Sequence, residues 1–432
     1  SAQPVANPLK ATDSDVAIPD PNNWAWSAAQ PADLGFANEA LSRVILNYAP
    51  VLDRRHAVMG TRLTVHALGP METARIEELL QAISQVWPEE AGHRVSLNMV
   101  SHALARALLR LRPARNILIE VPALLAVERD SLQHIKALQA NGNLLQIKDC
   151  AACNVPADLL RHFQYLMAGL SEPVRLLTPS NGVRPDIVRS DIRSLNGMRA
   201  AFANGAIAAT GWPMATPLQA ARLHALRTNS RAHIVVELLR LVNQGAPADR
   251  IERTVSQDPT VAYKLLRYAN SAAFNLPVKV VAIRDAVAVL GRQKLKRWLA
   301  LMLAASGPHA DLRPTTFAAM RRGVMMEELA RLAGHDDWGD ELFICGIFSL
   351  IDRMLGQPMR DLLAAISVPG TIAQTLVVHS GPYVPYLRLA RAVENGPFHL
   401  VRQTAEELGL GMDAVNRTLL RATAAAVELG QY

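Results

Sequence analysis

From Gln257 to Leu303 the chain reads QDPTVAYKLLRYANSAAFNLPVKVVAIRDAVAVLGRQKLKRWLALML, and its punctuation decides the class of the second half. Asp258-Pro259 is a helix start: the carboxylate accepts from the first unpaired backbone N–H groups, and proline suits the first helical position because it has no N–H to leave unpaired. Leu265, Leu266 and Ala269 then form an apolar stripe at helical spacing. Asn270 and Ser271 stand at that helix's end, where such side chains bond nearby backbone more often than a ligand. A second helical pattern ends at Leu290-Gly291, and a third, RQKLKRWLALMLAA, follows at once. Strand-like alternation is missing throughout.

The segments on either side behave alike. RAHIVVELLRLVNQG carries Ile234, Leu238 and Leu241 on one face and stops at Gly245, and FAAMRRGVMMEELARLAG stops at Gly334. Everything after Pro217 therefore reads as helix, and Pro213 and Pro217 mark the border. Upstream, short apolar or β-branched runs alternate with amphipathic helical patterns. The strand candidates are Val58–His66, Val95–Val100, Ile117–Val121, Leu144–Lys148, Val174–Leu177 and Ala206–Thr210. The helical patterns between them include VPADLLRHFQYLMAGL and DIVRSDIRSLNGMRAAFANG. Such alternation predicts a parallel sheet covered by helices, because parallel strands need crossover connections. The pattern leaves a barrel and an open sheet as alternatives.

With 432 residues, half of them apolar, the chain has material for two domains at roughly 100–200 residues each. We expect a flexible tail over 1–40, an α/β domain over 41–218 and an all-α domain over 219–432. No apolar run reaches the ~18 residues of a membrane span, so membrane insertion is not expected. The first 35 residues lack the basic start and continuous apolar core of a signal peptide. Three cysteines fit a reducing cytoplasm better than a disulfide framework. Cys150 and Cys153 form a lone CAAC pair without the further ligands that zinc requires. The net charge of +7 raises nucleic acid as a partner, but the arginines are scattered among acids with no aromatic interleaving. A nucleic-acid-associated regulator is therefore carried only as an alternative function.

One dipeptide advertises a metal. The stretch Gly334 to Gly356, GHDDWGDELFICGIFSLIDRMLG, opens on His335-Asp336. Its glycine surroundings indicate a loop, in which Asp336, Asp337 and Asp340 would solvate the turn and favour the start of the next helix.

Five phrases in the first half, YAPVLDRRHAVMGTRLTVHAL, VSLNMV, NILIEVPALL, GNLLQIKDC and GAIAATGWPMATPL, resemble in order and spacing an EAL domain. That family is a modified TIM barrel whose active members hydrolyse cyclic di-GMP with two divalent metals. The segment is shorter than a usual EAL domain, so a trimmed barrel is expected. Position by position, the resemblance puts the signature glutamate at Arg62, keeps the metal-binding asparagine as Asn98 and the next strand's glutamate as Glu120, and puts that strand's second acid at Ala123. Of the paired aspartates, the first falls on Lys148 and the second stays as Asp149, while the late glutamine falls on Thr210. Two carboxylates thus become two cations, and divalent ions need anionic oxygen ligands. The resemblance with these departures implies no metal, no other cofactor, and no enzyme. The surviving cluster has two readings: Arg62 and Lys148 neutralise Glu120 and Asp149 as internal ion pairs, or the cations form a metal-free site for a phosphate-bearing ligand such as a cyclic dinucleotide.

The stretch Gln257 to Leu303 resembles an HDOD domain, a relative of HD-GYP phosphodiesterases without the metal ligands. Where catalytic relatives carry a phrase like GLLHDIG, this chain has GIFSLID. Ser349 and Leu350 therefore occupy the places of the lost histidine and aspartate, and His335 lies 14 residues too early. The whole resembles a tandem EAL-HDOD signalling protein. The function implied is a non-catalytic cytoplasmic adaptor working through protein partners. The alternative is a cyclic di-GMP-binding sensor or residual phosphodiesterase.

Overall fold

In the computed structural model, which describes residues 38–89, 93–153, 155–172, 185–214, 230–271, 274, 276, 279–306 and 310–430, the first half closes into a barrel. Its eight strands stand in sequence order. They are β1 (Val44–Leu52), β2 (Val58–Ala67), β3 (Arg94–Met99), β4 (Ile117–Pro122), β5 (Leu145–Lys148), β6 (Tyr165–Gly169), β7 (Asp186–Ile192) and β8 (Ala208–Gly211). β1 runs antiparallel to both β2 and β8, and the remaining neighbours are parallel. Alternation along the strands explains the layering. Leu63, Leu97, Ile119 and Ile147 are buried in the core shared with the covering helices, and the residues between them, Arg62, Ser96, Glu120 and Gln146, turn into the lumen.

Three expectations are corrected. The barrel is not trimmed: all eight strands are present and the ring is closed. Brevity falls on the connection between β5 and β6, whose helix is the four-residue turn Ala157–Leu160, whereas β4 is followed by Ala123–Ala126 and then by the 11-residue helix Ser131–Asn141. Second, β6 and β7 lie inside segments read as helix. Tyr165–Gly169 is a short apolar run, and DIVRSDI alternates its buried Val188, Ser190 and Ile192 at the strand period. Third, residues 38–40 are not part of a tail. Asn38 caps the helix Glu39–Ser42 by accepting from the Leu41 N–H, and Ala40 and Leu41 are buried. Residues 1–37, the strand candidate Val174–Leu177 and the expected border at 218 lie outside the described residues.

The helical half begins at Ser230 within the described residues. Asp258 caps Pro259–Ala269, accepting from the Thr260 and Val261 N–H groups. The Asn270 side chain bonds only backbone in the contacts described, at Leu266 and Val280. Ile283–Ala304 is two helices joined at Gly291, whose φ of 66° breaks the helical run where the sequence pattern breaks.

The two halves share one core, which runs from Leu41 through the helical half to Val427. β1 is the contact strand. Asn47 Nδ2 donates to the Ala392, Val393 and Gly396 carbonyls. Asn416, on the helix Met412–Gly430, accepts from the Leu46 N–H and donates to the Leu41 and Val44 carbonyls. Within the helical half, Arg313–Leu332 crosses Gly339–Phe348 at Gly323 and Gly346. A Cβ on Gly346 would sit 2.5 Å from the Gly323 nitrogen and 2.6 Å from the Arg322 carbonyl carbon. Gly346→Ala is therefore expected to force the helices apart at a cost of about 1–3 kcal/mol, read as a lower urea midpoint with an unchanged slope.

Candidate functional site

The C-terminal ends of the parallel strands bring the expected residues together. The register sets Arg62 beside Ser96 and Thr64 beside Asn98, and further round sets Pro122 beside Lys148. Arg62 forms a bidentate pair with Glu120, Nε to Oε1 at 2.7 Å and a terminal nitrogen to Oε2 at 2.8 Å. Ser96 Oγ donates to Glu120 Oε1 at 2.8 Å. Lys148 Nζ donates to Asn98 Oδ1, and Asn98 Nδ2 donates to Thr64 Oγ1.

Each ionisable group is tuned by the others. Burial pushes the Glu120 carboxyl up, but Arg62 outweighs it, with Lys148 and Ser96 adding, and holds the group below the ordinary carboxylate range. Burial opposes the Arg62 charge, yet Glu120, Asp191 and Asp149 raise its pKa. Burial lowers the Lys148 pKa against the pull of Glu120 and Asp149.

Asp149 is exposed beside this cluster rather than paired within it. The expectation of a Lys148–Asp149 ion pair is corrected: Lys148 bonds Asn98, while Asp149, in a left-handed conformation with φ 58°, acts on Lys148 and Arg62 only through its charge. Asp191, in β7, has the same uncommon backbone, φ 59°. Non-glycine residues held there cluster at functional sites. Sequence reasoning missed Asp191 because DIVRSDI was read as helix; read as an alternating strand, it puts this acid near the strand's end.

The metal pair that the EAL resemblance attaches to active members does not fit these residues. Both Glu120 oxygens are taken by Arg62, and Asn98 Oδ1 by Lys148. Among the described residues, no cluster of three or more His, Cys, Asp or Glu side chains is arranged to hold an ion. In the CAAC pair, burial pushes the Cys150 thiol up to about 12, so Cys150 is not a thiolate at neutral pH.

In the helical half, His335 is held by aromatic neighbours. Its Nδ1 lies 2.6 Å from the Tyr386 hydroxyl, and its ring stacks on Trp338 at 4.2 Å. The place of the lost ligands is filled by a different chemistry. Ser349 Oγ accepts from Arg322 at 2.9 Å and donates to the Gly346 carbonyl, and Leu350 is buried beside it. Arg322 forks onto Glu394, Nε to Oε1 at 2.8 Å and a terminal nitrogen to Oε2 at 2.7 Å. Arg321, fully buried, also bonds Glu394 and donates to the Ala390 carbonyl at 2.9 Å. Its guanidinium lies over the rings of Tyr48 and Trp212, from the barrel, at 5.5 and 5.8 Å. Trp212 Nε1 donates to the Glu394 carbonyl at 3.0 Å. Two buried cations against one carboxylate are balanced by these ring faces and by carbonyls in the last turns of Val384–Asn395, the negative end of that helix. The sequence signal was the adjacent Arg321-Arg322 in a helix otherwise apolar on that side; Glu394, 72 residues on from Arg322, had none.

The fold and site define a closed barrel with an ion-paired mouth, joined through a buried Arg–Glu network to an all-helical domain. Residues 230–359 match the family model of the HDOD domain. The barrel has eight strands in sequence order, in agreement with the TIM-like barrel that the EAL resemblance implies, and the HDOD match lies in the helical half. It is similar to the cyclic di-GMP phosphodiesterase CdgJ of Vibrio cholerae, at 23% identity over 344 residues, covering 78% of this chain and 79% of that protein. It is also similar to the uncharacterized protein YuxH of Bacillus subtilis, at 26% identity over 182 residues, 41% of this chain and 43% of that one. Among solved structures, the EAL domain of FimX from Pseudomonas aeruginosa bound to c-di-GMP is 14% identical, with 41% of this chain and 93% of that one covered at a TM-score of 0.29, a likeness on which no argument about the site rests. The expectation that the chain is not an enzyme does not stand beside these findings, because the relative matched over most of both chains is a named phosphodiesterase. The misfit of the donors bears on how such chemistry would be done in this mouth. Among the described residues, no helix is long and apolar enough to cross a membrane.

Proposed function

We propose that the chain works in cyclic di-GMP signalling, with the dinucleotide as the ligand of the barrel mouth and its phosphodiester as the group on which the mouth acts. The similarity to a named cyclic di-GMP phosphodiesterase over 78% of the chain carries this reading. The geometry supports it: Lys148 and Arg62 line the end of the barrel where ligands bind in this architecture. Lys148 is the cation of the two that is not held by a carboxylate in the contacts described. It has an uncharged amide as partner, so a phosphate can recruit it without breaking an ion pair. Arg62, clamped on Glu120, supplies a fixed field. In this reading the HDOD domain passes the bound state to protein partners in the cytoplasm.

Calorimetric titration of the full chain with cyclic di-GMP tests the reading. Lys148→Glu is expected to weaken binding at least tenfold, because two unit charges ~4 Å apart interact by several kcal/mol at intermediate dielectric. Chromatography of the mixture with Mn²⁺ present reads conversion to the linear dinucleotide. Neither binding nor conversion at a millimolar ligand concentration would overturn the assignment.

A further inference from the structure

The face of β2 that carries Arg62 runs on towards the rim of the ion-paired mouth. Arg62, Thr64 and His66 alternate with the buried Leu63 and Val65, so all three stand on the lumen side of the strand. Thr64 is tied to Lys148 through Asn98, whose amide donates to the threonine hydroxyl at 3.2 Å and accepts from the lysine. His66 is the next residue of that face, roughly 7 Å further along the strand.

The imidazole is free to act as a base. Among the described residues neither ring nitrogen has a hydrogen-bond partner, and the ring is held instead by stacking on Phe398 of the helical half, at 5.3 Å between centroids and 22° between planes. Burial lowers the His66 pKa, so at neutral pH the ring is uncharged and keeps a lone pair. The exposed carboxylates of the same mouth, Asp149 and Asp191, would repel an approaching phosphodiester. An uncharged imidazole does not.

The occupied donors of the mouth decide the kind of chemistry. Both Glu120 oxygens and Asn98 Oδ1 are engaged by Arg62 and Lys148, so they are not offered to a metal that would activate water. A ribonucleotide brings its own nucleophile, because the 2′ hydroxyl stands beside the 3′ phosphate. What such a phosphodiester needs is a base for that hydroxyl and positive charge on its free oxygens.

We propose that the mouth opens cyclic di-GMP by internal transphosphorylation, with His66 as the general base, Lys148 as the cation on the phosphate and Arg62 as a fixed field. The 2′ oxygen attacks phosphorus and its proton passes to His66. The P–O5′ bond breaks, O5′ takes a proton from solvent, and the imidazolium returns its own proton to that solvent. The product is the linear dinucleotide ending in a 2′,3′-cyclic phosphate, an isomer of the substrate, whereas hydrolysis gives a product heavier by one water. The inference rests on the reading of this mouth as a cyclic di-GMP site.

The test incubates the full chain with cyclic di-GMP in EDTA and weighs the separated products by mass spectrometry, with calorimetry beside it. A new species of unchanged mass is expected. His66→Gln should slow its formation at least hundredfold, the lower end of general-base help, with a far smaller change in affinity. The 2′-O-methyl form of the ligand needs no variant: it should bind and stay intact. Binding without conversion, a product heavier by one water, conversion that requires Mn²⁺, an undiminished rate in His66→Gln, or turnover of the methylated ligand would each overturn the proposal and leave the binding reading in place. Absence of binding would overturn both.

Discussion

Replacing Glu394 by alanine is expected to lower the unfolding free energy by about 3–5 kcal/mol, the cost of leaving a buried charge unpaired. Glu394 is the only carboxylate that the described contacts give to Arg321 and Arg322, both buried. Its removal strands two guanidiniums between the barrel and the HDOD domain. Urea unfolding reads the loss; a change under about 1 kcal/mol, the scale of an exposed pair, would refute the account. The acid limb supplies a second reading. Burial raises the Glu394 carboxyl, but Arg322 and then Arg321 outweigh it and hold its pKa below the usual range. With the folded value depressed, the unfolded chain takes up the proton first as pH falls. The stabilisation is complete above the unfolded carboxylate's pKa, about 4.3, and drains below it towards the folded value. Stability of the wild type should therefore fall more steeply below that pH than stability of Glu394→Ala.

The second large effect is expected at the mouth. Arg62→Leu leaves Glu120, which is 1% exposed, with Ser96 and the field of Lys148 as its only support among the described residues. A loss of about 3 kcal/mol follows for the single substitution. Arg62→Leu combined with Glu120→Leu removes both charges from the lumen and should recover most of that loss, because a buried pair gains little over apolar residues of similar size. The cycle of single and double variants isolates the pair. Additive losses would show that Arg62 and Glu120 do not depend on each other.

How much of this was legible depends on the range of the signal. Local signals were read well: Asp258-Pro259 as a helix cap, Gly291 as a break, and the alternation of β2 to β5. β6 and β7 were lost because Tyr165–Gly169 is too short to show a period, and DIVRSDI adjoins a true helix, Leu195–Ala203. At the site, the charge reversals at Arg62 and Lys148 could be read from the resemblance, but not that Lys148 would choose Asn98 over its neighbour Asp149. The expectation that lost ligands mean lost chemistry was corrected by the relative, not by the residues. The Arg321–Glu394 network was invisible because a contact across 73 positions leaves no periodic trace.

The bonds that Asn416 makes to β1 also set a timetable. The Leu46 N–H and its Asn416 partner are 370 residues apart, so at roughly 5–20 residues per second the ribosome needs about 20–70 s to deliver the second after the first. For that interval the barrel's opening strand waits with one side uncovered. That side of the barrel is covered only once the helix Met412–Gly430 has left the exit tunnel. Truncation before Asn416 would leave the Leu46 N–H and the Leu41 and Val44 carbonyls without this partner, so a lesion in the helical half would reach the barrel as well.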